Sequence, residues 1–163
     1  MVYPRHHEGP PPDLTTPLEA LPGHQIRRLQ QIAVGLFMEE TGAHDVTPVQ
    51  FAALATVARQ PGLDQRTLAR TIGFDTSTIG GVVDRLERRG LMRRQPDPED
   101  RRVRRLSVSA AGLQLLQAVL PAMRRAQQRI LAPLSAAEQA QFMRLLDRLV
   151  EANNAASRAP SES

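Results

Sequence analysis

Residues 64–90 read "DQRTLARTIGFDTSTIGGVVDRLERRG", and this stretch decides the fold. Asp64 stands where a helix cap is wanted, because its carboxylate can accept the free N–H groups of a first turn. Leu68, Ala69 and Ile72 follow at helical spacing and define one buried face. Gly73 permits the left-handed backbone of a tight turn at no steric cost. Asp75 offers a second cap. Ile79, Val82, Val83 and Leu86 then recur at i, i+3, i+4 and i+7, and Gly90 ends the helix. A short helix, a glycine turn and a longer helix make a helix-turn-helix pattern.

Working outward, "TPVQFAALATVARQPG" (residues 47–62) begins with a Thr cap, Pro at the first helical position and Gln50 placed to close a capping box. Phe51, Leu54 and Ala55 are its expected buried side. Residues 21–40 carry Ile26, Leu29, Ala33, Leu36 and Phe37 at helical spacing. On the other side, "LMRRQ" (91–95) and "RRVRRLSVS" (101–109) alternate apolar and polar residues, with Leu91, Val103 and Val108 expected inward. The turn cluster "PDPED" joins them into a β-hairpin. Two helices finish the chain. Ser109 caps the first, which carries Leu113, Leu116, Leu120 and Met123 and an internal Pro121 expected to kink it. Ser135 and Glu138 form a capping box for the second, whose stripe is Phe142, Leu145, Leu146 and Leu149.

The expected fold is mainly α: a winged helix-turn-helix with a β-hairpin wing and a helical dimerisation region. Residues 1–17 read as a flexible proline-rich arm, 18–46 as an N-terminal dimerisation helix and 47–108 as the winged unit. Residues 109–155 supply the C-terminal dimerisation helices, and 156–163 a disordered tail. The apolar stripes of the flanking helices can pack on their own chain or on a second copy. Dimerisation is the commoner arrangement, since a two-fold protein matches two half-sites on DNA.

Composition narrows the chemistry. The 163 residues include no Cys, which excludes disulfides, thiol catalysis and thiolate metal sites. No apolar run approaches the ~20 residues of a membrane span, and the opening residues lack a signal pattern, so a cytoplasmic protein without membrane attachment is expected. His6 and His7 have no companion cluster, and neither a metal nor a cofactor is expected. There is no glycine-rich phosphate loop and no nucleophile–base pairing, which argues against an enzyme.

Charge is concentrated. The formal net charge is +4, yet residues 85–105 hold nine Arg against four acids, and every basic residue of the chain is Arg. A field focused in this way suits a polyanion such as double-stranded DNA. Thr76, Ser77, Thr78, Gly80 and Gly81 are left facing outward at the start of the second helix, followed by Arg85 and Arg88. Small and hydroxyl-bearing residues let a helix end approach base edges in a major groove. The other reading of the winged unit is a protein-interaction module with an acidic partner. That role calls for exposed apolar or aromatic anchors, and these small polar residues offer none.

Residues 68–112 resemble the MarR family of bacterial regulators. The resemblance rests on Leu68-Ala69, the segment Asp75 to Thr78, Leu86-Glu87-Arg88-Arg89-Gly90-Leu91, Arg94, Asp97 to Arg102 and Leu106 to Gly112; Ser109 stands where Thr is common. It implies a dimeric, ligand-responsive repressor on a pseudo-palindromic operator, with recognition helices in major grooves and wings in the flanking minor grooves. It places Asp100 and Arg102 as a wing pair in which the acid orients the arginine. Either Arg101 or Arg102 then enters the minor groove, where negative potential is enhanced. Arg104 completes the expected DNA-contacting set along the hairpin.

A regulator of this kind needs an effector site. His24, Arg28 and Gln31 lie at i, i+4 and i+7 along the first helix. An Arg and a His converging beside apolar groups can hold a carboxylate by charge-assisted bonds. The competing reading is a surface Arg and a capping His. Arg27 is expected to point elsewhere. The segment also resembles the branch of the family that controls breakdown of aromatic acids, such as hydroxybenzoates and hydroxylated pyridine carboxylates. That resemblance makes a small aromatic carboxylate the expected effector.

Overall fold

A computed structural model describes residues 16–156, so residues 1–15 of the expected proline-rich arm, His6 and His7 among them, and residues 157–163 of the expected tail lie outside the described residues. The chain divides into two compact units, Met1–Ile32 and Ala33–Ser163. In the first, a 3-10 turn at Leu18–Ala20 precedes α1 (Pro22–Thr41), the helix whose opening part belongs to this unit. Gln25 Nε2 donates to the Glu19 carbonyl at 2.8 Å and ties the turn to the helix. The apolar residues here face outward: Ile26 is 58% exposed, and Leu29 and Ile32 are exposed as well. The stripe read from the sequence is therefore not buried at this end of α1.

The second unit holds the rest of α1, then α2 (Pro48–Arg59), α3 (Gln65–Ile72), α4 (Thr76–Arg88), β1 (Met92–Pro96), β2 (Arg104–Val108), α5 (Ala110–Leu131) and α6 (Ala136–Asn153). The caps follow the sequence closely. Thr47 and Gln50 form a reciprocal capping box, Asp64 accepts from Thr67 N, and Ser135 pairs with Glu138. Each satisfies N–H groups that a helix start leaves without partners. Gly73 has φ 75°, the left-handed value that the α3–α4 turn requires.

Two cores fill this unit. The larger joins Ala53, Leu54 and Val57 of α2, Leu68 and Ala69 of α3, all four apolar residues of the α4 stripe, Met92 of β1 and Leu106 of β2. Ala55, expected on the buried side of α2, is only half-buried; Ala53 and Val57 take that place. The smaller core gathers Phe37, Val46, Val119 and Ala126, with the Phe37 and Phe51 rings tilted 6.0 Å apart. Helix α5 fully buries Val119, Ala122 and Ala126; of the stripe read from the sequence, Leu116 and Met123 are half-buried against the larger and smaller core, while Leu113 is 46% exposed. It runs through Pro121 as one helix. Helix α6 buries no residue, and Leu145, Leu149 and Val150 are exposed.

The hairpin is shorter than the alternation suggested. Its antiparallel register pairs Met92 with Val108 and Arg94 with Leu106. Leu91 precedes β1 and Val103 precedes β2. Met92 and Leu106 are the fully buried positions, while Val103 and Val108 are half-buried. The reason lies in the turn: Val103 N donates to the Asp100 carbonyl, and Asp97 N to the Val103 carbonyl, both at 2.9 Å. Those bonds spend the backbone of residues 97–103 on a loop, so extended pairing begins at Arg104. A third segment joins β2 from outside the hairpin. Gly62 N donates to the Leu106 carbonyl and Leu106 N to the Leu63 carbonyl, at 2.9 and 2.8 Å.

Candidate nucleic-acid interface

The leading end of α4 is organised by Asp75. Its carboxylate accepts from Thr78 N at 2.8 Å and from the hydroxyls of Ser77 and Thr78, each at 2.6 Å. The Ser77 hydroxyl, then the Thr78 hydroxyl and N–H, hold the Asp75 carboxyl well below the ordinary carboxylate range. Both hydroxyl protons are committed to the cap, so each side chain presents lone pairs and apolar surface. Thr76 is exposed, and its carbonyl accepts from Gln65 Nε2 at 3.2 Å. A Cβ at Gly80 would come within 3.0 Å of the same Gln65 nitrogen. Glycine there lets the α3 side chain cross α4.

Arg94 fastens the wing to α4. Its register position opposite Leu106 points it inward, where an apolar residue would be usual. It is accommodated by charge: Nη1 lies 2.6 Å from Asp84 Oδ1 and 3.1 Å from Glu87 Oε2. Nη2 donates to Gln65 Oε1 at 3.2 Å and to the Gly80 carbonyl at 3.4 Å, and Arg94 N donates to Glu87 Oε1. One guanidinium thus links α3, α4 and β1. The sequence marked Arg94 only as part of a motif, since its partners are distant along the chain.

Two aspartates shape the wing. Asp97 is 7% exposed; its Oδ1 accepts from Glu99 N at 2.7 Å and Asp100 N at 3.1 Å, and its Oδ2 from Arg105 Nε. Arg105, then the two backbone N–H groups, lower the Asp97 pKa. Arg105 also donates to the Gly62 carbonyl at 3.2 Å, so it closes the turn and braces it against the α2–α3 loop. Asp100 holds Arg102 in a fork: Nε at 3.0 Å and Nη2 at 2.9 Å, with Arg102 N at 3.0 Å. The Arg102 side chain is nonetheless 91% exposed. It is aimed and open at once. The pairing lowers the Asp100 pKa and raises that of Arg102. Arg101 and Arg104 are exposed.

Arg85 and Arg88 are exposed and lean on their own helix, through bonds to the Gly81 and Asp84 carbonyls at 3.0 and 3.4 Å. Arg89, part of the same motif but outside the expected DNA-contacting set, donates to the Asp45 carbonyl at 2.6 Å. Between α3, α4 and the wing lies an open cleft of about 620 Å³, lined by Gln65, Arg66, Thr76, Gly80, Arg94, Arg102 and Arg104 among others. Its rim carries four arginines against Asp64 and Asp84, a net positive charge that suits an anionic polymer lying across the surface.

On α1, His24 is half-exposed, and Arg28 and Gln31 are exposed. Gln31 Oε1 accepts from Arg27 Nη1 at 2.9 Å. The residue expected to point elsewhere is thus the one paired with Gln31, one helical turn away. Within the second unit, Glu40 accepts from Arg125 at 2.8 Å and Arg129 at 2.9 Å, and Glu39 from Arg129 at 3.1 Å. Arg125, then Arg129, lower the Glu40 pKa. No sequence pattern could have announced that cluster, because its halves are some 85 positions apart. Among the described residues, no helix is long and apolar enough to cross a membrane and no three His, Asp or Glu gather as metal ligands.

Residues 46–103 match the MarR family. The chain is 33% identical to the transcriptional regulator HosA of Escherichia coli O111:H- over 129 residues, 79% of this chain and 94% of that one. It superposes on the PcaV transcriptional regulator of Streptomyces coelicolor, solved with its natural ligand, with a TM-score of 0.76 and 39% identity over 84% of this chain and 96% of the other. BpsR of Bordetella bronchiseptica, whose DNA binding is regulated by 6-hydroxynicotinic acid, gives a TM-score of 0.79 at 25% identity, covering 82% and 96%.

Proposed function

The chain belongs to the MarR family of transcriptional regulators, and on that premise we propose that it is a dimeric repressor released from its operator by a small aromatic carboxylate. The observation that carries the DNA-binding part is Arg102, held in a fork by Asp100 yet almost wholly exposed. A flexible arginine loses rotamer freedom when it binds. Asp100 has already restricted this one, so less is lost on entering a narrow minor groove. Thr76, Ser77, Thr78 and Gly80 then face base edges, while Arg85, Arg88, Arg101 and Arg104 take phosphates. The exposed apolar residues of α6, Leu145, Leu149 and Val150, favour pairing with a second copy, which spaces two recognition helices one turn of DNA apart.

For the effector, Arg28 supplies the charge and His24 a further donor, with the Arg27–Gln31 pair alongside. The relatives PcaV and BpsR, one solved with its natural ligand and one regulated by a hydroxylated pyridine carboxylate, support that class. The test is fluorescence anisotropy on the DNA upstream of the protein's own gene, with and without a panel of benzoates and nicotinates. Tight, salt-sensitive binding relieved by at least one acid is expected. Binding that no acid relieves would refute the effector assignment, and absence of binding would refute the operator.

A further inference from the structure

Phe74 is the one large apolar side chain that the winged unit, residues 47–108, leaves exposed among the described residues; it is 38% exposed. The other exposed large apolar residues lie on or beside α1, α5 and α6. Phe74 sits one position ahead of Asp75, the cap of α4. Its backbone is fixed: Gly73 is left-handed, and Phe74 N donates to the Ala69 carbonyl at 2.9 Å, closing the end of α3. A residue at this position can staple the entry of the next helix, but a smaller aliphatic side chain would do that without exposing a ring.

We propose that Phe74 reads the operator, packing its exposed edge on the 5-methyl group of a thymine in the major groove. The inference rests on the reading of α4 as the recognition helix. Two further observations support it. The hydroxyl protons of Ser77 and Thr78 are spent on Asp75, so these two side chains present no hydroxyl donor beside the ring and leave room for an apolar contact. The unit is also strongly basic around α4 and the wing, so the ring is carried to DNA rather than left in water. Contact between an apolar side chain and the thymine methyl is an established way of distinguishing bases.

The experiment first selects a duplex from a random pool with the full-length protein. Each thymine of the selected site is then replaced, symmetrically in both half-sites, by deoxyuridine, which removes only the methyl group. Wild type is expected to lose about three- to fivefold per methyl at one position of each half-site, the worth of one buried methyl group. Phe74→Ala should bind the methylated and unmethylated duplexes within twofold of each other. Phe74→Leu, which keeps an apolar staple, guards against misfolding and should show a reduced methyl effect. Methyl sensitivity unchanged in Phe74→Ala while Phe74→Leu folds and binds, or absent throughout in wild type, would overturn the assignment while leaving DNA binding intact. Failure to select any sequence would overturn the recognition-helix reading itself.

Discussion

Gly112 shows how tightly α5 is seated on the winged unit. Ser109 Oγ donates to the Gly90 carbonyl at 2.6 Å and accepts from Gly112 N at 3.1 Å, while Ser109 N donates to the Leu91 carbonyl. The first turn of α5 is thereby pressed onto the link between α4 and β1. A Cβ on Gly112 would stand 2.2 Å from the Leu91 carbonyl oxygen and 2.6 Å from Val108 Cγ1. Carbon–oxygen contacts normally lie near 3.3 Å, so backbone must retreat by roughly 1 Å. Overpacking of this kind costs about 1–3 kcal/mol, against which the better helix propensity of alanine returns less than about 1. At roughly 2–4 °C per kcal/mol for a chain of this length, Gly112→Ala should melt several degrees below wild type. Gly81→Ala is the internal control. Its nearest neighbour would be the flexible Arg85 Nη2 at 3.6 Å, and it should gain about 0.5–1 kcal/mol. Both are measured by thermal unfolding at one protein concentration, since a dimer's melting point depends on it. A Gly112→Ala protein as stable as wild type would refute this account of the α5 seat.

Four other outcomes are expected. Arg94→Ala removes the link between α3, α4 and β1 and should cost about 1–2 kcal/mol in unfolding by denaturant, with weaker DNA binding as α4 loosens. Arg102→Ala should weaken operator binding strongly with little change in melting temperature, and should lower the slope of log affinity against log salt by about one. Asp100→Asn should weaken binding too, despite the gain in net positive charge, and little further in an Arg102→Ala background; titrations at several salt concentrations decide both. The folded-state pKa values of Asp75, Asp97 and Asp100 lie below their unfolded values, so their stabilisation is present above about pH 4 and is lost as the pH falls through the folded values. Melting temperature should therefore fall as the pH is lowered below about 4, and less steeply in Asp97→Asn.

Local interactions were legible in the sequence because they repeat with a fixed geometry. The caps at Thr47, Asp64, Asp75 and Ser135, the left-handed Gly73 and the α4 stripe each depend on neighbours within a turn or two. So did the pairing of Asp100 with Arg102, two residues apart, which family resemblance supplied and the wing geometry displays. These determine the helix-turn-helix and the character of its surface. Tertiary structure alone decided what crosses the chain. It turned Arg94 inward to hold two helices, set Arg105 between Asp97 and the α2–α3 loop, and brought Arg125 and Arg129 to Glu40. It also put Val119, Ala122 and Ala126 at the fully buried positions of α5, with Leu116 and Met123 only partly buried beside them. The physical reason is the same in each case. A helical or strand period identifies candidate faces, but only the packed partners determine which face is buried and where each charge is satisfied.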